Sequence, residues 1–266
     1  MRNVRQKIIA ACYNGDISAL EALFKESAIS SNHPQGVYQL DRCIAESQQL
    51  PVVEEMFLEA IKGEQVDAIL FLAKYFPGSS LYDHLMQAAI DTGNPAVLRA
   101  ACQCDPASAN AELGDDGCIN ALGYAASKPN GAELIKVLLD AGADPNNDPP
   151  FKLPACRNVS AAVLGGMPVS TFEQFFDAGY IGSDPFAIQF AVEKRRNDVL
   201  EVLFTRCQVF PDPQVISEEK LVDMAEKLDD QDMVVVIKKF YASRHRKKEG
   251  VLASLKKRLH FKGRKV

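Results

Sequence analysis

An all-α fold, a solenoid of about six or seven imperfect helix-turn-helix repeats, is predicted by three features of the sequence. Two small residues, a short polar stretch with Gly or Asn, and an apolar run recur along the chain. The apolar positions within those runs fall at helical spacing. The composition is globular, with 47% hydrophobic and 24% charged residues in 266, which excludes a disordered or collagen-like chain.

The first copy is Ala11-Cys12-Tyr13-Asn14-Gly15-Asp16 followed by Ile17 to Phe24. The second starts at Ala60-Ile61 and continues through Val66 to Leu72. The third is Ala89-Ile90-Asp91-Thr92-Gly93-Asn94 followed by Val97-Leu98. The fourth has Ala125-Ala126, Asn130-Gly131 and Leu134 to Leu139. The fifth has Ala161-Ala162, Gly165-Gly166 and Phe172 to Phe176, and the sixth Ala191-Val192, Asn197 and Val199 to Phe204. A degraded seventh runs from Met224-Ala225 to Ile237. Each reads as two short helices joined by a tight turn. Small residues in the first helix allow close approach, and the second carries an apolar stripe such as Leu134, Ile135, Leu138 and Leu139, all expected to be buried. One pair cannot bury its apolar face alone, whereas stacked pairs share a continuous core.

The fourth copy is the most explicit. Asp115-Asp116-Gly117 and Asn120-Ala121-Leu122-Gly123-Tyr124-Ala125-Ala126 precede its second helix, and Asp140-Ala141-Gly142-Ala143-Asp144-Pro145-Asn146 follows it. Gly142 is placed where a left-handed residue ends a helix, and Asp144-Pro145 blocks continuation. This stretch resembles the ankyrin repeat, with Asn120 to Gly123 where the family has Thr-Pro-Leu-His. The His is replaced by glycine. The resemblance covers residues 3–240, strongest in the fourth copy. It implies finger-like loops whose tips contact partners, which makes Asp115, Asp116, Asp144 and Asn147 the candidate partner-binding residues.

The expected solenoid therefore spans residues 1–240, with insertions near 27–51 and 147–158. An extra helix is expected over Val37 to Gln48, and Pro149-Pro150 and Pro154 make the second insertion a stiff loop. Such loops either line a binding face or are tolerated variation.

No phosphate-binding glycine loop, nucleophile elbow or metalloprotease pattern is present. No His has a motif around it, so neither an enzyme nor a cofactor is expected. Cys102-Gln103-Cys104 has the wrong spacing for zinc. Cys12, Cys43, Cys102 and Cys207 read as small core residues. Cys156, in the Pro-rich loop, reads as the most exposed thiol. No secretory signal or apolar run of about 18 residues is found, and the seven cysteines lack framework spacing; a cytoplasmic or nuclear monomer is expected.

Charge is unevenly spread. Residues 238–266 hold 12 Lys and Arg against one acid, while residues 1–237 hold 18 against 34. The acidic body suits a protein partner with a basic segment. In the tail, residues 241–266, Arg244, Arg246, Lys247 and Lys248 precede Lys256, Lys257 and Arg258, a pattern that resembles a bipartite nuclear import signal. Val251, Leu255 and Leu259 lie at helical spacing among those bases, which equally reads as a basic amphipathic helix for an anionic membrane or a partner groove. A cap resting on the acidic body is the third reading. The function expected is non-catalytic protein binding by a scaffold or adaptor, through loop tips and a concave helix surface. The alternative is a nuclear or chromatin-associated adaptor that uses the tail.

Overall fold

A computed structural model describes residues 4–36, 38–81, 83–114, 117–149, 153–209 and 216–244. Among them the chain is all-α, with one two-residue strand pair. Residues 1–180 and 181–266 form two compact units.

In the first unit the helices are α1 (Val4–Asn14), α2 (Ile17–Glu26), α3 (Gln39–Ser47), α4 (Val53–Lys62), α5 (Val66–Tyr75), α6 (Asp83–Asp91) and α7 (Pro95–Cys104). Strands β1 (Glu112–Leu113) and β2 (Ile119–Asn120) follow, then α8 (Ala121–Ala125), α9 (Gly131–Asp140), α10 (Asn158–Leu164) and α11 (Val169–Asp177). The helices pack in two rows. The first runs α1, α4, α6, α8, α10, and the second α2, α5, α7, α9, α11, with each member also packed on its partner across a short turn. Helix α3 belongs to neither row.

Three of the five turns within pairs share one geometry, with a left-handed residue ending the first helix at Gly15 (φ 70°), Glu64 (φ 56°) and Gly166 (φ 69°). The N–H of the next residue reaches back to an alanine carbonyl, from Asp16 to Ala11 and from Gln65 to Ala60 at 2.9 Å, and from Met167 to Ala162 at 3.0 Å. This is the Schellman ending, which satisfies carbonyls that a helix terminus would otherwise leave open. The alanine is buried in each case because a larger side chain would hold the neighbouring helix away. The second helix is then capped by side chains where the sequence provides them: Asp16 Oδ1 accepts from the N–H of Ala19, and Asn94 Oδ1 from that of Ala96, both at 2.9 Å.

The core lies between the rows. Leu20, Phe24, Met56, Phe57, Ile69, Leu72, Leu85, Leu98, Leu134, Ile135, Leu138, Phe172 and Phe175 are almost wholly removed from water. Leu139 is only half-buried. A helix turns about 100° per residue, so the position after Leu138 swings off the apolar stripe. The second helices exit as the sequence suggests. Gly142 has φ 94°, and the N–H of Ala143 donates to the Leu138 carbonyl at 3.0 Å.

In the second unit, α12 (Pro185–Glu193) packs on α13 (Asn197–Arg206) and α14 (Glu218–Lys227), and a final helix, α15, covers residues 231–244. The same turn recurs here. Arg195 (φ 53°) and Asp229 (φ 55°) are left-handed, and the N–H groups of Arg196 and Asp230 donate to the carbonyls of Ala191 and Ala225 at 2.8 and 3.0 Å. Phe204 and Phe240 stack at 4.0 Å between centroids, which fixes α15 against α13. No helix among the described residues is long and apolar enough to cross a membrane.

Candidate interaction surface

Three regions of the first unit carry polar groups in defined arrangements: the loops between pairs, the exposed ends of α6 and α8, and the insertion around α3.

The loops begin with the hairpin. Glu112 pairs with Asn120 and Leu113 with Ile119, antiparallel, so Asp115 and Asp116 fall in sequence between the two strands but lie outside the described residues. Asp144 is exposed in the next loop. Its Oδ1 accepts from the Asn146 N–H at 2.8 Å, and its own N–H donates to Asn110 Oδ1 at 2.7 Å. Asn110 Nδ2 in turn donates to the Gly142 carbonyl at 3.3 Å, and Asn146 Nδ2 to the Gly179 carbonyl at 3.1 Å. Two asparagines thus tie the loops that follow α7, α9 and α11 in succession. Asn147 is exposed and shares a turn with Asp144. Its carbonyl accepts from Nδ2 of two buried asparagines, Asn120 and Asn158, the latter at 2.9 Å. The Asn147 backbone thereby joins the loop after α9 to the starts of α8 and α10.

That loop also bears on Gly123. A Cβ at Gly123 would lie 3.1 Å from the Cys156 carbonyl and 3.0 Å from Ile119 Cγ1. The insertion occupies the space a side chain would need. Beside it, Arg157 Nη1 binds Asp148 Oδ2 at 2.9 Å with both side chains mostly covered.

At the exposed ends of α6 and α8, Asp91 Oδ1 accepts from the Tyr124 hydroxyl at 2.8 Å and from Lys128 Nζ at 2.6 Å. Lys128 also sits 4.2 Å from the Tyr124 ring centroid. Partial burial alone would lower the Lys128 pKa, but its hydrogen bonds to Asp91 and Tyr124 outweigh this and raise it. These contacts fix the three side chains relative to one another.

The insertion is fastened by Glu54, a carboxylate 8% exposed at the start of α4. Arg42 Nη2 on α3 donates to both of its oxygens, at 3.1 and 2.9 Å, and His84 Nε2 on α6 lies 2.7 Å from Oε1. The backbone contributes as well: the Val53 and Glu54 N–H groups donate to the carbonyls of Pro34 and Gln35 at 3.0 Å. His33 is buried, with Nε2 2.8 Å from the Pro51 carbonyl. Burial pulls its pKa below the ordinary value of 6.5, against the opposing effect of that hydrogen bond.

Cysteines were only partly legible. Cys12 and Cys102 are buried, but Cys43 is exposed on α3 and is the one exposed cysteine, while Cys156 and Cys207 are intermediate. Burial pushes the Cys12 thiol up to about 12 and those of Cys102, Cys104 and Cys207 to about 11. Among the described residues, no group of three or more His, Cys, Asp or Glu side chains is arranged to hold a metal ion. Of the tail residues, Arg244 ends α15 with its guanidinium 5.4 Å from the Phe240 ring centroid; Arg246, Lys247, Lys248, Lys256, Lys257 and Arg258 lie outside the described residues. No protein-family model and no curated protein matches the chain.

Proposed function

We propose that this chain is a non-catalytic scaffold or adaptor built on ankyrin-like repeats. It binds a protein partner through its loop tips and the exposed ends of its first-row helices. The observation that carries the reading is the turn repeated at Gly15, Glu64 and Gly166, each with its bond back to a buried alanine. A chain that repeats one helix pair presents its connecting loops side by side, so a partner meets several at once. The asparagine ties at Asn110 and Asn146 support it, because they hold neighbouring loops in register.

The test is site-specific photocrosslinking. A photoreactive residue at Asp144 or Asn147 should trap a discrete partner, and the same residue on helix α5 of the second row, at the exposed Lys74, should not. Equal trapping at both places, or at neither, would reject the loop surface as the binding face.

The tail supports a second reading, because 12 basic residues against one acid in residues 238–266 suit an import receptor or an anionic partner. Deleting residues 245–266 should then redistribute a tagged chain between nucleus and cytoplasm. An unchanged distribution would remove the tail from the account.

A further inference from the structure

The segments at the starts of α8 and α10 lie side by side. Nδ2 of Asn120 and Nδ2 of Asn158 both donate to the Asn147 carbonyl, which holds the two segments together. A further contact sets how they align. Ile119 Cγ1 and the Cys156 carbonyl close on the Gly123 position, 3.0 and 3.1 Å from where a Cβ would stand. Cys118 and Cys156 each come two residues before one of these asparagines, so the alignment brings them to matching places on adjoining segments. Both are free thiols of intermediate exposure. Burial, and then the Cys118 thiol, push the Cys156 thiol up, so the two sulfurs are near enough to act on each other. Across the hairpin Cys118 meets Gly114, where a Cβ would come within 3.1 Å of Sγ. A side chain at that position would cover the sulfur, and glycine leaves it open.

We propose that Cys118 and Cys156 are a redox-sensitive pair that forms a reversible disulfide between the β-hairpin and the 147–158 loop. The oxidant is a peroxide. The Cys118 thiolate attacks one peroxide oxygen and becomes a sulfenic acid, releasing hydroxide. The Cys156 thiolate then attacks that sulfur, its S–O bond breaks, and the S–S bond forms as a second hydroxide leaves. The two thiol protons complete the balance: two thiols and one hydrogen peroxide give one disulfide and two waters. The sulfurs give up two electrons and the peroxide oxygens take them. Cys118 reacts first because burial slows the ionisation of Cys156. A small dithiol reverses the step by exchange. The bond closes a loop that contains α8 and α9, so it stabilises the fourth repeat by restricting the unfolded chain. The inference concerns thiol chemistry and does not depend on the partner-binding reading above.

Disulfide mapping of the full, folded chain tests it. Hydrogen peroxide is added until Cys43, exposed on α3, is oxidised. The remaining thiols are then blocked, and the chain is digested without reductant and read by mass spectrometry. Peptides joined through Cys118 and Cys156 should appear, lighter by two hydrogens than the reduced pair, and dithiothreitol should separate them. The oxidised chain should also show a higher urea midpoint than the reduced chain. Cys156→Ser should show no such rise, and its Cys118 should pass on to the sulfinic acid. The mapping uses the wild-type chain and stands even if the variant fails to fold. Oxidised Cys43 without the link between Cys118 and Cys156, Cys118 joined to a different cysteine, or a link no more abundant in the folded chain than in one oxidised in urea overturns the proposal.

Discussion

At the scale of single residues, three positions show how backbone and burial decide what the sequence tolerates. Gly142 combines φ 94° with open space around the site of a Cβ, so the cost of a side chain there is conformational and not steric contact. Gly142→Val should cost about 1–2 kcal/mol, read by chemical denaturation. Gly123 is the reverse case. Its surroundings are filled by Cys156 and Ile119, and the sequence showed only that the expected His was missing. Its neighbour across the loop comes from more than thirty positions away, and no local pattern records that. His33 adds a pH dependence. Its folded-state pKa lies below 6.5, so the unfolded chain takes up the proton first. Its contribution is fully present above about 6.5 and is lost as pH falls through the window beneath that value. Denaturation between pH 7.5 and 5.5 should show a shallower acid loss for His33→Gln than for the wild type; equal slopes would contradict this.

Among the elements, the helix pairs were legible and the insertion only in outline. Small-residue pairs followed by Gly or Asn marked the first-row turns because the physics of a helix ending is local. Leu139 was misplaced by one step of a helix, since a run of two leucines does not say which one faces the core. Helix α3 was expected over Val37 to Gln48 and forms over Gln39–Ser47. Its fastening was not legible, because Glu54, Arg42 and His84 come from three separate segments and meet only on folding. Removing the carboxylate takes from Arg42 and His84, side chains 45% and 49% exposed, the covered acceptor that joins α3, α4 and α6. Glu54→Ala should therefore raise amide exchange across residues 39–47 at least tenfold while exchange in α9 changes little. Equal effects in both segments would mean that Glu54 supports the whole unit and not the insertion.

For the whole molecule, the acidic body and basic tail were evident from charge alone, whereas the order of packing was not. Deleting residues 245–266 should shift the denaturation midpoint of the remaining chain by less than the equivalent of about 0.5 kcal/mol, the ordinary range for surface changes. A larger loss would make the tail a structural cap. The central claim is that the helix pairs stack as repeats, each stabilised by its immediate neighbours. Leu138→Ala tests this most directly, because Leu138 is fully buried in α9 between α7 and α11 and its truncation should cost about 2–5 kcal/mol. Native-state hydrogen exchange of that variant should show the greatest loss of protection in α7, α8, α9 and α11, with the loss fading toward α1 and α2. A uniform loss from α1 to α11, or a loss confined to α9, would contradict a stack of neighbour-coupled repeats.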